Sequence, residues 1–121
     1  MRIAVDAMGG DFAPREVVAG ALDAARRLEG LRSLILVGRE DAIRAEIPAG
    51  VRLPENVHIA PASGVVGMEE SPAVAIRRKR DSSISRAVDL VKKGEADAMF
   101  SAGNTGAVVA AATLKLRTVP G

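Results

Sequence analysis

The chain contains no cysteine, tryptophan or tyrosine, and its one histidine is His58. Without cysteine there can be no disulfide, thiolate metal ligand or cysteine nucleophile, and one histidine cannot build a multi-histidine metal site. Aromatics make up 2% of the residues. The core must therefore come from Val, Ile, Leu and Ala, and there are too few aromatic platforms to stack single-stranded nucleic acid. Seventeen Lys and Arg stand against fifteen Asp and Glu, a net charge of +2. So small a surplus gives no argument for nucleic acid as a partner. Long apolar runs are missing too: Ile3-Ala4-Val5 meets Asp6 before it could form a signal-peptide core, and no run approaches membrane-spanning length. These absences lead to the expectation of a soluble cytoplasmic protein.

What is present is the composition of a folded domain, 48% hydrophobic and 26% charged over 121 residues. A chain of this size can bury about two thirds of the surface it exposes when unfolded, so one α/β domain over residues 1–121 is expected. Ile3-Ala4-Val5 reads as a buried strand, and Val17, Val18, Ala21, Leu22, Ala25 and Leu28 repeat at helical spacing from Pro14 to Gly30. The unit recurs. Leu34-Ile35-Leu36-Val37 reads as a second strand with a short helix over 39–46, and Val57-His58-Ile59-Ala60 as a third. Ser71-Pro72 starts a helix over 72–80. Asp81 or Ser82 caps another, with the stripe Ile84, Ala87, Val88 and Val91 closing at Gly94. Ala98-Met99-Phe100 is a fourth strand, and an Ala-rich helix runs on to about Leu116. Strands alternating with helices predict a mostly parallel, doubly wound sheet with helices on both faces.

In open α/β sheets ligands bind beyond the carboxyl ends of the strands. The loops there are Asp6-Ala7-Met8-Gly9-Gly10-Asp11 after the first strand and Ser101-Ala102-Gly103-Asn104-Thr105-Gly106 after the fourth. Glycine lets a ligand approach the backbone, and amides at a helix N-terminus favour an anion, so both loops suit phosphate. Neither is a nucleotide fingerprint: G-x-x-x-x-G-K-S/T is absent, and Gly103-Asn104-Thr105-Gly106 is not G-x-G-x-x-G. On spacing alone each loop is first a tight strand-to-helix turn, and Asp6 and Asp11 are as readily turn or capping carboxylates as functional ones. The run Arg77-Arg78-Lys79-Arg80 suits the negative pole of a helix and reads first as a solvated face. His58 reads as structural, and the adjacent Glu69 and Glu70 as solvent-exposed.

Taken in order, Ile3 to Asp11, Lys79-Arg80-Asp81-Ser82-Ser83, and Ser101 to Ala107 resemble the bacterial phosphate acyltransferase family of phospholipid synthesis. Leu36-Val37-Gly38 and Val66-Gly67-Met68 before Ser71-Pro72 extend the likeness along the whole chain. Members of that family run well over twice this length, so the resemblance implies an N-terminal part. It also implies a three-layer α/β/α fold like that of isocitrate and isopropylmalate dehydrogenases, which fixes architecture better than substrate. The implied reaction is reversible transfer of a fatty acyl group from acyl carrier protein to inorganic phosphate, giving acyl phosphate with no cofactor and no metal. Phosphate is then the nucleophile, and amides and cations hold the anions and the oxyanion.

Carried onto this sequence, the catalytic candidates are Asn104, Lys79 and Asp81. The phosphate- or substrate-binding candidates are Asp6, Gly9, Gly10, Asp11, Ser82, Ser83, Ser101, Gly103, Thr105 and Gly106. Arg77, Arg78 and Arg80 are candidates for docking the acidic carrier protein. A homodimer and peripheral association with the inner face of the membrane are implied as well. Three other readings stay open: a phosphate acetyl- or butyryltransferase using coenzyme A thioesters, a noncatalytic phosphate-binding module, and an inert fragment whose open sheet edge pairs with another chain.

Overall fold

The computed structural model describes residues 1–63 and 82–102. The elements are β1 (Arg2–Asp6), α1 (Arg15–Arg27), β2 (Ser33–Gly38), α2 (Glu40–Ala45), β3 (Val57–Pro61), α3 (Ser83–Lys92) and β4 (Ala98–Phe100). All strand pairs are parallel, in the order β3-β2-β1-β4. The expected helices over 72–80 and after Gly106 lie outside the described residues.

Each element follows from a local pattern. The side chains of Val18, Ala21, Leu22 and Ala25 recur at helical spacing and are the buried face of α1, while Arg26 and Arg27 occupy its last turn near the negative pole. Pro14 stands at the N-cap, one residue before the helix. The α3 helix starts at Ser82, whose Oγ accepts a hydrogen bond from the Ser85 amide at 3.1 Å. Of the two caps the sequence offers, Ser82 is the one used.

Successive strand residues point to opposite faces, and this sorts the core into two layers. Val5, Leu34, Leu36 and Val57 pack with Val18, Ala21, Leu22 and Ala25 of α1 and Ile43 of α2. On the other face Ala4 and Val37 pack with Ala87 of α3, along with Ala62 and Ala96. Helices therefore cover both faces, giving the three-layer α/β/α architecture. Fully burying a residue such as Leu36 or Ile43 contributes about 1.5–3 kcal/mol, so the layers are held mainly by aliphatic contacts.

At the amino end of the sheet, the Arg2 amide donates to Asp97 Oδ2 at 2.7 Å, and the Asp97 amide donates to the Arg2 carbonyl at 2.7 Å. Arg2 Nη2 also meets Asp97 Oδ1 at 3.1 Å. The side-chain and backbone bonds from Arg2 hold the Asp97 carboxyl below its ordinary value. This pair fixes where β4 begins beside β1.

Candidate functional site

From β1 the chain builds outward through β2 to β3, then crosses back to lay β4 on the other side of β1. The loops leaving the carboxyl ends of β1 and β4 therefore flank a topological switch point, where open α/β sheets leave a crevice.

Asp6 ends β1 and is 1% exposed. Its Oδ1 accepts the Met8 amide at 3.0 Å, closing an Asx turn, and its Oδ2 accepts the Ser101 hydroxyl at 2.8 Å. A buried carboxylate needs such donors, and here they come from both loops. The Asp6 carboxylate thus ties the loop after β1 to the loop after β4.

Glycine lets the loops close up. Gly10 has φ +96°, and a Cβ built there would stand 3.3 Å from both Cβ and the carbonyl oxygen of Ala102. On the other side of β1, a Cβ at Gly38 would stand 2.7 Å from Met8 Cγ, so a side chain there would make Met8 shift from the end of β2. Gly9 is buried and Asp11 is exposed at the outside of the turn.

Because α3 runs back against the parallel strands, its N-terminus lies at this same end of the sheet. Ser82, Ser83 and Ser85 are all buried there. The sequence pattern marks Ser82 and Ser83 but gives no reason to single out Ser85, which falls outside the apolar stripe of the helix. The structure thus brings Asp6, Gly9, Gly10 and Ser101 together and puts Ser82 and Ser83 at the same end of the sheet. Arg77, Arg78, Lys79, Arg80, Asp81, Gly103, Asn104, Thr105 and Gly106 lie outside the described residues, as do Glu69 and Glu70. His58 is exposed on β3 rather than buried, so burial does not account for it.

A separate hollow of about 480 Å³ opens between α1 and the β1-β4 pair, with Val17, Ala21, Leu28, Leu34 and Phe100 in its walls. Its walls are apolar apart from the exposed Glu16, so the hollow offers an anion no charged or side-chain donor. Among the described residues no group of three potential metal ligands comes together, and no helix is long and apolar enough to cross a membrane.

Residues 1–121 match the family described as fatty acid synthesis protein. The chain is 52% identical over 121 residues to a protein of Desulfitobacterium hafniense and 50% identical to proteins of Nostoc sp. and Akkermansia muciniphila, each named phosphate acyltransferase. In each case all of the chain is covered, but only 35% of the relative. The chain therefore spans about a third of the length of these relatives.

Proposed function

The chain belongs to the fatty acid synthesis protein family, and from that premise we propose that the intact protein is a phosphate acyltransferase. It moves a fatty acyl group from acyl carrier protein to inorganic phosphate, for phospholipid synthesis. The observation that carries this reading is the pair of glycine-bearing loops drawn together at the switch point by Asp6 and Ser101. Such a crevice, between loops at the carboxyl ends of parallel strands, suits a small anion.

In the proposed step a phosphate oxygen attacks the thioester carbonyl carbon. A C–O bond forms, the C–S bond breaks, and the carrier thiolate leaves and takes up a proton. The chain has no cysteine and needs none, because the nucleophile is the substrate. Asp6 acts by holding the two loops in register rather than by touching phosphate, since a carboxylate offers an anion no donor and its oxygens accept from both loops. Asn104, Thr105 and the flanking Gly103 and Gly106 would stabilise the oxyanion, with Lys79 and Asp81 contributing from the segment before α3. Arg77, Arg78 and Arg80 would meet the acidic carrier protein. Dimer formation and a peripheral place at the membrane belong to the same proposal.

The test supplies the intact protein with acyl carrier protein thioester and phosphate, trapping acyl phosphate with hydroxylamine. Phosphate-dependent hydroxamate is the expected result, and Asn104→Ala should lower its rate about 100-fold, the usual scale for removing one oxyanion donor. Turnover with acyl-coenzyme A but not with the carrier-protein thioester would overturn the donor assignment. An Asn104→Ala protein with wild-type turnover would overturn the role of that loop.

A further inference from the structure

Ser83 and Ser85 in the first turn of α3 are 1% and 0% exposed, and among the described residues neither hydroxyl has a hydrogen-bond partner. A hydroxyl buried in this way normally costs stability, and alanine would fill either position at a helix start without that cost. The neighbouring buried positions of the helix are indeed apolar: Ile84, Ala87 and Val88.

We infer that Ser83 and Ser85 are the inner donors of a phosphate site at the N-terminus of α3, a site that places the nucleophile in the reaction proposed above and rests on that reading. Three features converge on it. The Cα–Cβ bonds of a helix tilt toward its N-terminus, so hydroxyls at its first and third positions lean toward the positive pole. No carboxylate occupies the first turn of α3, whereas Glu16 sits in that of α1 and Glu40 and Asp41 in that of α2. By strand alternation Asp6 lies on the α3 face of the sheet with Ala4, yet its hydrogen bonds come from Met8 and Ser101 and from neither of these serines. Ser82 Oγ accepts from the Ser85 amide and so caps the helix, whereas the hydroxyls of Ser83 and Ser85 have no partner among the described residues. A tetrahedral oxyanion is the ligand class that accepts two hydroxyl protons at a helix N-terminus.

The test compares the intact wild type with Ser83→Ala, Ser85→Ala and the double variant, using inorganic phosphate as the probe. Thermal unfolding is followed with and without phosphate, and KM for phosphate is measured beside KM for the acyl donor. The double variant is expected to keep or raise its ligand-free Tm, to lose the phosphate-induced rise in Tm, and to show a phosphate KM raised tenfold or more with the donor KM unchanged. An unchanged phosphate response in the double variant overturns the inference. So does a lower ligand-free Tm, which would mean that the hydroxyls already serve a partner within the fold. A wild type that binds phosphate through these serines but transfers no acyl group would leave this site standing and remove the acyltransferase reading.

Discussion

Gly10→Ala tests the geometry of the switch point most directly. Two costs meet at this residue. Holding an alanine at φ +96° rather than in an ordinary region costs about 1–2 kcal/mol. Its methyl group would also stand 3.3 Å from Cβ and the carbonyl oxygen of Ala102, and relieving such overpacking costs about 1–3 kcal/mol. Together they predict a loss of about 2–5 kcal/mol, by pushing the loop after β4 away from the loop after β1. Gly50 supplies the control. Its φ is +78°, but nothing lies within 4 Å of a Cβ built there, so Gly50→Ala carries the backbone cost alone. Urea unfolding of the two variants should show the larger midpoint shift for Gly10→Ala, and only Gly10→Ala should raise KM for phosphate. Equal midpoint shifts with an unchanged phosphate KM would refute the claim that the loops depend on this close approach.

Ser101→Ala removes the donor to a buried carboxylate and should cost about 1.5–3 kcal/mol, read from the urea midpoint; a neutral effect would show that the tie does not hold the loops. The Asp97 carboxyl is held below its ordinary value by Arg2, so the ionised form is favoured in the folded protein. Its contribution to stability is complete above the ordinary value of 3.8 and falls away as the pH drops through the lower folded value. Asp97→Asn should therefore destabilise the protein at neutral pH, with the difference from wild type shrinking under acid. A difference that persists undiminished in acid would put the effect in the backbone geometry instead of the charge.

The sequence by itself determined the parts of the fold that depend on neighbours in the chain. The helical spacing of Val18, Ala21, Leu22 and Ala25 marks α1, because residues three and four apart share a helix face. Short apolar runs ending at Asp6 and Gly38 place β1 and β2, and Ser82 announces a helix start because its hydroxyl can serve an amide three residues on. The ordered strings around Asp6, Ser82 and Ser101 carry the family likeness, which does not depend on strand pairing.

Tertiary structure decided what those residues do. Whether β4 lies beside β3 or beside β1 depends on where the crossover through α3 returns, and no local pattern sets that choice. Because it returns to β1, Asp6 meets Ser101 across 95 residues, and a carboxylate readable as a turn residue becomes the tie between two loops. The assembled fold also buries the first turn of α3, where the hydroxyls of Ser83 and Ser85 have no hydrogen-bond partner among the described residues. Burial and hydrogen-bond partnership are properties of packed surfaces, so only the assembled sheet could assign them.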